Sequence, residues 1–75
     1  MAEYTVNLLW DSEAAVWMAT SEDVPELILE SGSFDALIER VKFAIRELIE
    51  LNGSEISDET LAIRFKSERY EKVRV

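Results

Sequence analysis

The feature that most constrains this fold is a long amphipathic segment over residues 33–53. Its apolar residues recur at steps of three and four, which places them on one stripe of an α-helix. They are Phe34, Leu37, Ile38, Val41, Ala44, Ile45, Leu48, Ile49 and Leu51. Ser33 can cap the first turn, and Gly53 suits the left-handed position that often follows a last turn. The segment therefore predicts one helix with an apolar stripe that another surface must cover.

Short segments on both sides of this helix predict the surface that it covers. Residues alternate between two faces, as in a β-strand, over residues 4–10, 16–21 and 61–66. Residues 27–31 form a short segment that is compatible with a strand. The interruption over residues 11–15 has no Asn-Gly or Asp-Gly pair, so it predicts a hairpin with a longer loop. Val24-Pro25 predicts a break or a sheet edge, because proline cannot donate to a ladder. The sequence therefore predicts an α+β fold of order β-β-β-α-β, with one helix on one face of a small, mainly antiparallel sheet.

The last strand has a competing interpretation. A second helix could begin at a Ser57 cap, but Leu61, Ile63 and Phe65 alternate and do not share one helical stripe. We expect a fourth strand there. The chain is predicted to form a single domain over residues 1–75, in which residues 67–75 either extend the last strand or form a loose tail.

Length and composition limit the class of protein. A chain of 75 residues buries only about 60% of the surface that its unfolded state exposes, so we expect homo-oligomerisation. Without cysteine or histidine, it has no thiolate nucleophile and lacks the commonest acid–base group and metal ligand. It shows no basic leader followed by an apolar run, and no apolar stretch long enough to span a membrane. A cytoplasmic protein is expected.

The net charge of -8 is unevenly distributed. Residues 1–60 carry three bases and fourteen acids, whereas residues 61–75 carry five bases and two acids. An acidic body repels the phosphates of nucleic acids and attracts basic proteins. Two interpretations therefore stay open: the acids recruit a basic partner, or they only keep a small domain in solution.

The helix can cover only one face of the sheet, and the other face needs a separate account. If Val6, Leu8, Val16 and Met18 face the helix, then Leu9, Trp17 and Ile28 point away from it. Exposed apolar and aromatic residues that lie together usually mark an interface. Leu9, Trp17 and Ile28 are thus candidates for an oligomer interface, unless the tail or a different strand register covers them.

A series of short motifs in fixed order carries a family resemblance. The motifs are Trp10-Asp11, residues 13–19, residues 21–25, Gly32-Ser33 and residues 47–53. On these motifs, across residues 4–52, the chain resembles the HicB-like antitoxin superfamily, and within it a short bacterial domain of unknown function. The resemblance implies a β-β-β-α-β domain with a partial ribonuclease-H-like fold and no nuclease activity. It also implies a dimer or tetramer that binds and blocks a small basic toxin.

Two departures from the HicB pattern affect what the resemblance implies. Pro25 is followed by Glu26, where HicB proteins commonly have glycine, so the turn before the third strand is expected to differ. HicB proteins also carry a C-terminal DNA-binding module, for which this sequence leaves no room after the fourth strand. Operator binding is therefore not expected, and nucleic acid is not an expected partner.

The sequence as a whole predicts a non-enzymatic interaction domain with no catalytic residue, cofactor or metal. Five acids in predicted loops are the candidate contacts for a small basic partner: Asp11, Glu13, Glu22, Asp23 and Glu26. The main alternative is a homo-oligomeric domain of a different class that binds a ligand or a divalent cation, the cation being held by Asp11, Glu13, Glu22 and Asp23. A hydrolase that uses a pair of carboxylates is the third hypothesis.

Overall fold

One α-helix covers one face of a four-stranded sheet in the computed structural model, which describes residues 3–51 and 60–75. The elements in chain order are β1 (Glu3–Asp11), β2 (Val16–Thr20), β3 (Ile28–Ser31), α1 (Phe34–Leu51) and β4 (Ala62–Glu68). The predicted β-β-β-α-β order is confirmed. Residues 69–75 follow β4, contain no helix or strand and are exposed throughout. We call residues 69–75 the tail.

The sheet has the order β3-β2-β1-β4 and mixes two kinds of pairing. β1 pairs antiparallel with β2, and β2 pairs antiparallel with β3. β4 pairs with β1 in parallel, because α1 carries the chain back to the end of the sheet where β1 begins. The sheet thus has a hairpin end, where Asp11 meets Val16, and a far end, where β1 and β4 begin.

The core lies between α1 and the sheet. From the helix, Leu37, Val41, Ile45 and Ile49 are buried, as the predicted stripe requires, whereas Leu51 at the end of that stripe is 80% exposed. From the strands and the β2–β3 connection come the remaining buried apolar residues, Val6, Leu8, Ala19, Val24 and Leu27. The predicted cap is present, since the backbone N–H of Ala36 donates to Ser33 Oγ at 3.2 Å. The predicted helix end at Gly53 lies outside the described residues, as does Ser57.

The strand register corrects one expectation about the faces of the sheet. Leu8 lies opposite Ala19 and Trp10 opposite Trp17, so Trp17 faces α1 rather than pointing away from it. Its ring contacts Phe34 at the start of the helix, with the ring centroids 4.9 Å apart. Val16 and Met18, which were expected to face the helix, share the other face with Leu9. The hairpin loop decides this, because a shift of one residue in pairing moves every β2 side chain to the opposite face.

Candidate functional site

The face of the sheet turned away from α1 carries an apolar pair in its middle, of which one member is exposed and the other half-buried. We call this face the outer face. Leu9 on β1 lies directly opposite Met18 on β2, and Leu9 is 47% exposed. Ile28 on β3 lies diagonal to Met18 on the same face and is 69% exposed. Two of the three residues predicted to point outward, Leu9 and Ile28, are therefore on this face, and Met18 takes the place of Trp17.

Two glutamates flank this apolar pair in a single row across all four strands. Leu9 pairs with Glu68 of β4 on one side and with Met18 on the other, and Met18 pairs with Glu30 of β3. Residues directly opposite each other in neighbouring strands point to the same face. The row reads Glu68, Leu9, Met18, Glu30, so an apolar centre lies between two carboxylates. We call it the central row.

A shallow, open depression lies beside the central row at the junction of β1 and β4. Its volume is about 340 Å³, and it is lined by Asn7, Leu9, Thr20, Lys66, Ser67 and Glu68. Asn7 pairs with Thr20 in one direction and with Lys66 in the other, so polar groups follow the apolar pair toward the far end. An apolar centre with a polar margin is the usual anatomy of a protein-protein interface.

The five acids predicted to contact a partner do not form one cluster. Asp11 and Glu13 lie at the hairpin end, whereas Glu22, Asp23 and Glu26 lie in the β2–β3 connection at the far end. Asp11 lies six positions after Thr5 along β1, a distance of about 20 Å in a strand. Among residues 3–51 and 60–75, no three acids come together in a group able to hold a metal ion.

Asp11 and Asp23 each bind the backbone of their own chain. The N–H groups of Glu13 and Ala14 donate to Asp11 Oδ1 at 3.0 and 3.2 Å, which closes the hairpin loop. At the far end, the N–H of Thr5 donates to Asp23 Oδ2 at 2.8 Å. Both carboxylates therefore help to build the fold, whatever they also contact.

Ser21 completes the arrangement at the far end and was not anticipated from the sequence. β2 ends at Thr20 opposite Asn7, so Thr5 of β1 has no β2 residue beside it. The buried Ser21 hydroxyl donates to Thr5 O at 2.6 Å and accepts the N–H of Asp23 at 3.1 Å. Two side chains thus satisfy both polar groups of Thr5 where the strand partner stops. The pattern Ser-x-Asp directly after a strand is the signal that could have indicated this turn.

An aromatic cluster at the hairpin end holds the start of the tail. The rings of Trp10 and Trp17 lie 5.4 Å apart, and Trp17 also contacts Phe34. The guanidinium of Arg69 lies 4.0 Å from the centroid of the Trp10 ring and 5.8 Å from that of Trp17. This is cation–π geometry. Arg69 also forms an ion pair with Glu71 at 2.8 Å. The other two bases of the tail, Lys72 and Arg74, follow this pair in the sequence.

The fold and this surface define a small α+β domain with one sheet face packed against a helix and one face left uncovered by the described residues. None of the described helices is long and apolar enough to cross a membrane. The family model described as a domain of unknown function (DUF1902) matches residues 3–75, and the chain belongs to that family.

A solved structure supports the fold. The chain is similar to the hypothetical protein TTHA1013 from the extremely thermophilic bacterium Thermus thermophilus, with a TM-score of 0.78 and 32% sequence identity. The similarity covers 95% of this chain and 99% of that one. No protein with a curated description matches the chain. Neither the description of the family nor the name of the thermophilic protein states an activity, so the resemblance to HicB antitoxins stays a prediction.

Proposed function

We propose that this protein is a non-enzymatic interaction domain that binds a small basic protein through the outer face of its sheet, in the manner that a HicB-like antitoxin binds its toxin. The observation that carries the proposal is the central row, in which Leu9 and Met18 lie between Glu30 and Glu68. Leu9 and Ile28 offer apolar area to a partner, and burial of such area is the main source of affinity in an interface.

The charges around the row favour a basic partner. Glu30 and Glu68 frame the apolar pair, and Asp11 lies on the same face at the hairpin end, opposite the apolar Val16. The outer face of β4 also carries two bases. Arg64 is paired with Glu3 at 2.8 Å, so its charge is compensated, and Lys66 lies in the depression that Glu68 also lines. Acids around an apolar centre speed the encounter with a basic protein and disfavour acidic ones. Of the five acids proposed from the sequence as partner contacts, only Asp11 lies in a strand on the outer face.

The decisive test compares two substitutions that introduce the same charge at two exposed apolar residues. Leu9→Lys disrupts the central row, whereas Phe43→Lys changes a residue of α1 that is 73% exposed. Each variant, and the unchanged protein, is isolated at endogenous level from its own host and measured by native mass spectrometry. We expect a small basic protein to co-purify at fixed stoichiometry with the unchanged protein and with Phe43→Lys, and to be lost with Leu9→Lys.

The charge contribution is tested separately. The double substitution of Glu30→Gln and Glu68→Gln should weaken the complex and reduce its dependence on salt, because the neutral isosteres keep the shape of the row and remove its field. A partner that still binds Leu9→Lys would refute the proposed surface. A complex whose affinity does not depend on salt, or a partner that is acidic, would refute the proposed chemistry.

A further inference from the structure

The edge of the sheet formed by β3 has no strand beside it among the described residues, and Glu30 together with the acidic β2–β3 connection gives it negative charge. β3 pairs with β2 on one side and has no strand on its other side among the described residues. Over residues 22–30 the chain carries four acids and no base: Glu22, Asp23, Glu26 and Glu30. A bare edge presents backbone N–H and C=O groups that pair readily with another extended segment.

The tail has the matching chemistry. Residues 69–75 carry three bases against one acid, with two valines and a tyrosine between them. Tyr70, Val73 and Val75 are 73%, 81% and 120% exposed, so the described part of the chain leaves most of each residue uncovered. Lys72 and Arg74 alternate with Val73 and Val75, which is the period of a strand with a basic face and an apolar face.

The tail of the same copy does not reach this edge. The dimensions of the molecule are 53 × 19 × 19 Å, and its radius of gyration of 14.0 Å exceeds the value of about 11 Å expected for a compact chain of this length. β4 and β3 lie at opposite edges of the sheet, and the tail begins where Arg69 is held against Trp10. The tail therefore leads away from its own domain.

We propose that the tail of one copy adds as a strand to the β3 edge of a second copy, and that the second copy returns its own tail in the same way. This inference does not rest on the proposal that a basic protein binds the outer face. The opposite edge, β4, is a poorer acceptor because Lys66 would meet the bases of an added tail, and the charge of Arg64 is already paired with Glu3. A small domain also gains most from the additional surface buried in such an exchange.

The charges select an antiparallel register. With Lys72 opposite Glu30, the next pairs are Val73 with Leu29 and Arg74 with Ile28, the latter close to the acids of the β2–β3 connection. The guanidinium of Arg40 donates from its Nη1 to Glu30 O at 2.9 Å, and in this register Glu71 arrives beside it. The added strand exchanges that side-chain bond for a ladder bond and gives Arg40 a carboxylate.

Charge reversal in two different copies tests this arrangement with the full chain. Lys72→Glu places an acid against Glu30, and Glu30→Lys places a base against Lys72. Each variant alone is expected to dissociate at least about tenfold more readily than the unchanged dimer, since like charges then face each other. An equimolar mixture of the two variants restores both contacts in one mixed dimer, and we expect its affinity to return to that of the unchanged protein.

Sedimentation velocity over a concentration series measures all four samples, and Arg46→Glu on the exposed side of α1 is the matched control for a single charge reversal. Glu30 and Lys72 are both exposed, so each variant is expected to fold. Far-ultraviolet circular dichroism checks that it does. The proposal is refuted by an unchanged protein that stays monomeric, by variants that assemble as well as the control, or by a mixture that fails to assemble. Assembly that survives Lys72→Glu and is lost in Leu9→Lys would refute it too, because the contact between copies would then lie on the outer face.

Discussion

Asp23→Ala is expected to destabilise the fold, although Asp23 lies in an exposed connection far from the core. Its carboxylate accepts the Thr5 N–H at 2.8 Å, at a position of β1 that lies beyond the last residue of β2. Alanine removes this acceptor, so the N–H of Thr5 loses its hydrogen bond to Asp23. The neighbouring Ser21 bond to Thr5 O loses the support of the same turn.

The size of the effect follows from this one hydrogen bond. Hydrogen bonds to charged groups contribute about 1.5–3 kcal/mol, and the lower value applies here because Asp23 is exposed. An unfolding entropy of about 2.1 cal/mol/K per residue gives about 0.16 kcal/mol/K for 75 residues. A loss of about 1.5 kcal/mol should therefore lower Tm by about 9 °C. Asp23→Asn keeps an acceptor without its charge, and about half of this loss is expected.

Thermal unfolding followed by circular dichroism measures these shifts at one fixed protein concentration, since assembly would make Tm depend on concentration. Glu22→Ala is the matched control, because it removes the adjacent exposed acid and the same unit of charge. Its Tm should stay within about 3 °C of the unchanged protein. If Asp23→Ala and Glu22→Ala shift Tm equally, the effect is one of net charge, and the assignment of Asp23 to the strand end is wrong.

Three further predictions follow from local geometry. Ala15 has a φ of 55°, so Ala15→Gly should raise stability by about 1 kcal/mol in urea unfolding, while Ala14→Gly should not. Arg69→Ala should shift the fluorescence spectrum of the two tryptophans and cost about 0.5–1 kcal/mol, and an equal spectral shift in Arg74→Ala would refute the assigned stacking. Ile45→Ala should cost about 2–5 kcal/mol, and a loss as small as that of an exposed helix residue would contradict its burial.

The elements of this fold were predictable because each carries its own local period. The stripe of α1 and its Ser33 cap lie within a single segment, and the alternation of β1 and β4 needs no knowledge of distant residues. The order of elements then restricts the architecture to one helix on one small sheet. What the local pattern could not supply is how the strands pair.

The face of Trp17 shows why pairing is harder to predict. Its assignment depends on how many residues the hairpin loop takes, and the loop over residues 12–15 has no turn signal that fixes this number. One residue more or less would exchange Trp17 with Met18 on the outer face. The central row was equally hidden, because Glu30 and Glu68 meet the Leu9–Met18 pair only through the register of three separate pairings.

The division of the acids, by contrast, follows from strand order alone. Consecutive connections of an antiparallel series lie at alternate ends of the sheet, so Asp11 and Asp23 were bound to be separated once three strands were predicted. A metal site that uses both Asp11 and Asp23 would need the hairpin loop and the β2–β3 connection to lie side by side. The order of the strands already argued against that hypothesis, and the separation along β1 agrees with the argument.

Glu30 belongs to both proposed contacts, and this determines how they would affect each other. Its side chain ends the central row on the outer face, while its backbone lies on the bare edge of the sheet. A tail that places Lys72 against Glu30 neutralises one of the two carboxylates that frame Leu9 and Met18, so it lowers the affinity of that face for a basic protein. Coupling between two binding events is reciprocal, so a bound basic protein must weaken the exchange of tails by the same factor. Glu68 lies at the other end of the row and is remote from this edge, so its replacement would weaken the outer face for a basic protein and leave this coupling unchanged.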